Sequence, residues 1–232
     1  MTVDAAVSAD EGLEYQGRKA SRAKSEQRRR LILEAALRII VSEGVRGIRH
    51  RAVAKEAGVP LAATTYYFKD IDELIVDTFT LYTEKALGVV NEFANQFYQP
   101  VSGFPAVDLN NGASQEVLID FLVQHIRVYM RQQVINQRDM LIIEQAFRYE
   151  AIVSDRIRIL AKLHRSALLE RAEIFFRQVA KSKNPPADAE ILLGLLHSLE
   201  YSTLLHGNDD HNMEAIGQTI RHYLTLLLPS MR

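Results

Sequence analysis

The side chains best suited to chemistry in this sequence are Leu61, Ala62, Ala63, Thr64, Thr65, Tyr66, Tyr67 and Lys69, a run directly after Ala57-Gly58-Val59-Pro60. Threonine hydroxyls can reach base edges, Leu, Ala and Thr methyls can meet thymine methyls, and Tyr66, Tyr67 and Lys69 can hold phosphate. This is the chemistry of reading a duplex. Small residues at the exposed turn of a helix let its backbone enter a major groove about 12 Å wide. No Arg or Asn in the run offers two-point base recognition, so specificity leans on Arg49 or Arg51, on an N-terminal arm, or on DNA shape. Arg28 and His50 complete the DNA-facing set. Neighbouring helical residues point about 100° apart, so one of Tyr66 and Tyr67 is expected to pack inward with Phe68.

The charge pattern supports the same chemistry. The chain of 232 residues has a net charge of −1, yet Tyr15 to Lys69 hold 13 Lys/Arg against 4 Asp/Glu. Residues 1 to 14 contain 4 acids and no base, and residues 70 to 232 contain 15 bases against 21 acids. A basic block this concentrated supplies the counterion release that drives phosphate binding, and the remainder is too acidic to join it. The sequence has no cysteine, which excludes disulfides and thiolate ligands and suits a reducing cytoplasm. No secretory leader is legible at Met1 to Glu14 and no run is apolar enough to span a membrane, so a cytoplasmic protein is expected.

Helices must position these residues. Ile32, Ala35, Ala36, Ile39 and Ile40 recur at helical spacing and predict a helix over 24–43 that Gly44 ends. Two short helices, His50 to Ala57 and Leu61 to Tyr67, separated by Gly58 and Pro60, predict a helix-turn-helix. Asp70 and Glu73 have capping-box spacing ahead of a long helix over 71–97, ended by Pro100 and the turn-rich residues up to Gly112. Further helices are expected at 114–133 (capped by Ser114), 137–150, 155–181 (capped by Ser154), 187–206 and 213–228. No segment alternates as a strand. The fold class is therefore all-α: a three-helix helix-turn-helix domain at 25–70 after a mobile arm at 1–24, and a helical effector-binding and dimerisation domain at 71–232.

The stretch Val53-Ala54-Lys55-Glu56-Ala57-Gly58-Val59-Pro60-Leu61-Ala62-Ala63-Thr64-Thr65-Tyr66-Tyr67-Phe68-Lys69, with Asp72-Glu73-Leu74 after it, resembles the DNA-binding signature of the TetR family. The resemblance covers about residues 26 to 78. Pro60, Ala62 and Thr65 depart from the usual Ser/Thr, Gly and Tyr, Arg49 stands where a helix cap is usual, and Asp70-Ile71-Asp72 stands where a Lys is common. The resemblance implies a homodimer on a palindromic double-stranded operator, released by a small-molecule effector, most often as a repressor. It also implies that the apolar faces Leu192, Leu195, Leu196, Leu199 and Ile216, Ile220, Tyr223, Leu224, Leu227 pair across a two-fold axis. Gly194 and Gly217 would permit close helix approach there.

The remaining chain lacks a phosphate loop, a nucleophile elbow or a zinc-protease motif, so no enzyme, cofactor or metal is expected. His206, Asp209, Asp210 and His211 read as a polar turn before a metal site. Aromatic supply suggests an apolar or amphipathic effector near Tyr82, Phe93, Phe97, Phe121, Tyr129, Phe147 and Phe175, with His125, Glu144 and Arg148 as polar candidates. His125 reads equally as a hydrogen-bonded core residue, and Glu144 with Arg148 as an ion pair. Two alternatives stand beside the regulator: a constitutive dimeric DNA-binding protein with a solid body, and an enzyme on a helical scaffold.

Overall fold

The computed structural model describes residues 14–18, 23–103, 111–178, 180–207 and 210–227. Every regular element among them is helical: α1 (Ala23–Glu43), a short 3-10 turn (Val45–Gly47), α2 (His50–Glu56), α3 (Leu61–Tyr67), α4 (Ile71–Gly103), α5 (Gly112–Asn136), α6 (Arg138–Val153), α7 (Asp155–Gln178), α8 (Pro185–His206) and α9 (Asp210–Leu227). The all-α class and the helix-turn-helix are as the sequence reads. Two compact units are formed, Met1–Gly88 with Ile142–Arg165, and Val89–Leu141 with Ser166–Arg232. Compactness thus changes over within α4, α6 and α7, whereas the boundary expected at residue 70 is one of role.

The first unit is built on the buried stripe of α1, where Ile32, Leu33, Ala35, Ala36, Ile39 and Ile40 face inward. The small residue Ala54, buried beside Val53, lets α2 lie close against that stripe. Gly58 adopts φ 65°, a left-handed angle that side chains resist, and it turns the chain from α2 into α3. Val59 N–H then donates to the Ala54 carbonyl at 3.0 Å, closing the end of α2. Pro60 occupies the N-cap of α3 with extended angles, and Phe68, fully buried and extended, ends it. Asp70 Oδ1 accepts from Glu73 N–H at 2.8 Å, while Glu73 reaches back to Lys69 N–H at 2.8 Å, one residue earlier than a standard capping box.

Residues 14–18 correct the expectation of an arm mobile throughout 1–24. Gln16 and Gly17 N–H donate to the two carboxylate oxygens of Asp77 at 2.6 and 3.0 Å, and Arg18 N–H donates to the Tyr67 carbonyl at 2.8 Å. The Tyr15 hydroxyl donates to Glu84 at 2.6 Å. Extended backbone is held here because its donors meet a buried carboxylate, a feature 60 residues away that local composition does not reveal. The rest of the arm, 1–13 and 19–22, lies outside the described residues.

In the second unit α5 is the central element. Leu118, Ile119, Leu122, Val123 and Met130 pack with Met213, Ile216, Ile220, Leu224 and Leu227 of α9 and with Leu199 of α8. Pro100 does not end α4, which runs to Gly103: the proline removes one donor, while the N–H groups of the three residues after it can still bond the carbonyls four positions back. Ser114 is not a cap either, because Asn111 Oδ1 takes the Ala113 N–H at 2.9 Å and starts α5 two residues sooner. Ser154 does cap α7, accepting from Ile157 N–H at 3.4 Å. Pro185 and Pro186 sit in the first turn of α8, where a missing N–H is harmless.

Candidate nucleic-acid interface and an internal cavity

The second helix of the helix-turn-helix presents Leu61, Ala62, Thr65 and Tyr66 as exposed side chains, with Ala63 half-buried. Thr64 corrects the sequence reading. It is fully buried with its hydroxyl donating to the Leu61 carbonyl at 2.8 Å, so it packs the helix onto the core and reaches no base edge. Of the two adjacent tyrosines, Tyr67 is the inward one: its ring is buried and its hydroxyl lies 2.8 Å from Ser25 Oγ. Tyr66 stands half out of the surface with its ring edge-on to Tyr67, their centroids 5.0 Å apart.

The basic block divides into two populations. Arg29 is buried between Glu26 and Asp77, Arg30 pairs with Glu84 and Arg38 with Glu56, and outside the block Lys85 pairs with Glu34. These cations brace the first unit. Arg18, Arg28, Arg49, Arg51, Lys55 and Lys69 are exposed and have no ion pair among the described residues, so their charge is available to an external anion. Burial raises the Asp77 carboxyl above its ordinary value, while the Gln16 and Gly17 N–H groups and the Arg29 guanidinium pull it back. Tyr15, lying under the Arg29 guanidinium at 4.1 Å, has its phenol pushed up by burial and by Glu84. His50 sits half-buried in the first turn of α2, and Arg49 is the N-cap of that helix without a side-chain capping bond.

The second unit contains a cavity of about 190 Å³. Its wall is mostly apolar, with Leu122, Ile126 and Tyr129 from α5, Ala172, Phe175 and Phe176 from α7, and Leu192, Leu193 and Leu196 from α8. Arg171, His197 and Glu200 supply its polar groups. The Arg171 guanidinium is fixed at 2.5 Å from Asn91 Oδ1 and 2.8 Å from the Ala167 carbonyl. Burial and the nearby Glu200 charge raise the Tyr129 phenol.

Of the expected effector residues, Tyr129 and Phe175 line this cavity and several others do not. Tyr82, Glu144 and Phe147 belong to the first unit, where the Tyr82 hydroxyl donates to Glu144, Phe147 stacks on Phe79 at 4.9 Å, and His164 Nε2 lies 3.7 Å from Glu144. That cluster is buried in the first unit and does not contribute to the cavity wall. Arg148 is exposed. Phe121 does not line the cavity but stacks on His125 at 3.9 Å, and His125 Nδ1 bonds the Phe121 carbonyl at 2.9 Å, the hydrogen-bonded reading of that histidine. The side chains of Phe93 and Phe97 fall outside the described residues, as do Asp209 and the side chain of Asp210 in the polar turn. Sequence reasoning missed Arg171, His197 and Glu200. Glu200 was legible in principle, since it continues the stripe Leu192, Leu196 at helical spacing and is a buried carboxylate in an apolar helix.

The expected pairing faces are in part interior. Leu199, Ile216, Ile220, Leu224 and Leu227 are buried within the chain against α5, with Leu192, Leu195 and Tyr223 packed on the same core and Leu196 at the cavity. The fully buried members of that set face the chain's own interior, while Leu192, Leu195, Leu196 and Tyr223 are only partly covered. Gly217 likewise lies under the Arg127 side chain, whereas Gly194 faces open space.

An exposed two-helix reader at the end of a basic block, joined to an all-helical body, defines a helix-turn-helix protein. Residues 32–78 match the family model of the bacterial regulatory proteins, tetR family. The chain is 39% identical over 69 residues to the HTH-type transcriptional regulator PksA of Bacillus subtilis (strain 168), a match covering 30% of this chain and 34% of that protein, about a third of its length. Solved structures extend the likeness of fold beyond that domain. A member of the TetR family from Streptomyces coelicolor A3 superposes with a TM-score of 0.58 at 24% identity, over 87% of this chain and 98% of its own. The multidrug binding protein EbrR, solved with proflavin, superposes with a TM-score of 0.51 at 25% identity, over 86% and 99%.

Proposed function

We propose that the chain is a DNA-binding transcriptional regulator that acts as a homodimer, recognises a palindromic operator and leaves it, as a repressor does, when a small molecule fills the cavity of the second unit. One observation carries the reading: the exposed face of α3 adjoins exposed cations that no carboxylate among the described residues neutralises. In this reading Leu61, Ala62 and Thr65 meet base edges, Tyr66 and Lys69 meet phosphates, and Arg28, Arg49, His50 and Arg51 extend the contact. Replacing Lys69 by alanine should weaken binding to all duplexes alike and lower the salt slope by about 0.9 for each phosphate no longer neutralised. Replacing Thr65 by alanine should alter the preferred base with little change in slope. A uniform effect from Thr65 and a base-selective one from Lys69 would reject these roles.

A cavity of about 190 Å³ with aromatic walls supports a compact, largely apolar effector over a constitutive DNA-binding role, for which a solid body would be expected. EbrR, a multidrug binding protein solved with proflavin, is a precedent for that use of the fold. Such a ligand shifts operator affinity only if it binds the two head arrangements differently. The α4 helix, which follows α3 after a three-residue link and includes Val90 of the cavity wall, is the element through which that difference would act.

Dimerisation is assigned to the face of α8 that the described residues leave uncovered: Ile191, Gly194, Ser198, Tyr201 and Leu205, with Leu226 on α9. Tyr201→Glu should give a folded monomer with an unchanged circular dichroism spectrum and sharply weaker operator binding. A dimer that survives this substitution would send the interface elsewhere.

A further inference from the structure

Arg18 lies outside the family-matched segment and outside the helix-turn-helix, yet its guanidinium carbon sits 4.3 Å above the centre of the Tyr66 ring. Tyr66 is half-exposed at the end of the recognition helix, so the cation is stacked on the surface that α3 presents. Arg18 itself is exposed, and among the described residues no carboxylate pairs with it. A guanidinium that stacks on an aromatic ring keeps its N–H edge free for a phosphate, because stacking uses its face and ion pairing its rim.

The backbone beneath Arg18 is held as a docked strap. Gln16 and Gly17 bond Asp77, and Arg18 N–H bonds the Tyr67 carbonyl at 2.8 Å. Gly17 is buried so tightly that a Cβ would lie 2.9 Å from Asp77 Oδ2 and from the Phe68 ring. The position of Arg18 is therefore fixed by contacts made within the first unit before any duplex arrives, which lowers the ordering cost of using it.

We infer that Arg18 and Tyr66 form a composite clamp for the DNA backbone, in which Tyr66 orients the guanidinium and Arg18 bonds a phosphate flanking the groove entered by α3. The inference rests on the DNA-binding reading above and extends it to a residue supplied by the strap. It makes Arg18 a register-setting contact without base preference.

The test uses the full-length chain and a fluorescently labelled random-sequence 30-bp duplex, with affinity followed by anisotropy across a salt series. Arg18→Ala should weaken binding several-fold at low salt, lower the slope of log K against log salt by about 0.9 per bound chain, and leave the melting temperature unchanged. Tyr66→Ala should weaken binding too, and the double variant should be weaker than either single one by much less than the product of their effects, because one clamp is removed either way. Arg148→Ala, an exposed cation of the same unit on α6, serves as the control that leaves duplex affinity and salt slope unchanged. If the unaltered protein binds the duplex and Arg18→Ala binds with the same slope and affinity, or if the two losses multiply, the clamp is wrong while the DNA-binding reading stands. If the unaltered protein binds no duplex, both fall.

Discussion

Replacing Asp77 by alanine is expected to lower the unfolding free energy of the full-length chain by about 3–5 kcal/mol, the usual cost of stripping one partner from a buried ion pair. Asp77 is fully buried, faces Arg29 at 3.3 Å and accepts the Gln16 and Gly17 N–H groups. Without it Arg29 keeps Glu26 on one side and loses its buried counter-charge on the other. Two backbone donors are orphaned at the same time, each a further desolvation cost. Asn at this position retains one acceptor and should restore part of the loss. The check is a urea titration followed by circular dichroism at 25 °C. A midpoint unchanged by Asp77→Ala would mean that the strap contributes nothing to the first unit. Because the strap also seats Arg18, the same variant should weaken duplex binding beyond what partial unfolding explains.

The second large effect concerns pH. Burial raises the Glu144 carboxyl from an ordinary value of 4.5 to about 7, with Arg148 pulling in the opposite direction. Tyr82 on α4 and His164 on α7 face the same carboxylate. The folded chain then keeps a proton that the unfolded chain has released, so stability present at low pH is lost as pH rises from 4.5 through about 7 and is level above that. At about 1.4 kcal/mol per pKa unit, the loss over that window is about 3 kcal/mol. Glu144→Gln keeps an oxygen for the Tyr82 hydroxyl and removes the titration. It should be more stable than the unaltered chain at pH 8 and should flatten the decline between pH 5 and 7. A decline of unchanged size in the variant would assign it to other groups.

Much of this architecture was legible because it is local. The stripe of α1, the Gly58 turn and the Asp70 cap each depend on residues within a few positions, and their physics is carried by the sequence itself. The same holds for the choice between Tyr66 and Tyr67: spacing requires that they diverge, although only packing decides that Tyr67 turns inward. What stayed hidden depends on partners far along the chain. The docking of residues 14–18 needs Asp77, the burial of Ile216 and Ile220 needs α5, and the cavity wall draws on α4, α5, α7, α8 and α9. Hydrophobic faces announce that they will be covered, without saying by what. For that reason the apolar stripe of α9 read as a subunit interface when it is interior, and the opposite face of α8, with its scattered Ile191, Tyr201 and Leu205, drew no notice. That Tyr82, Glu144 and Phe147 do not line the cavity was hidden for a related reason: an aromatic residue at core spacing looks alike whether it surrounds an empty space or fills one.

The decisive experiment is selection of duplexes from a random-sequence library by the purified full-length chain, followed by sequencing of the enriched pool. Two copies of α3 related by a two-fold axis should enrich inverted repeats whose half-sites are centred about 34–36 Å apart, one helical turn. Enrichment should decline steeply with added salt. A pool that stays random at low salt, or one that converges on a single unrepeated half-site, would contradict a dimeric DNA-reading regulator.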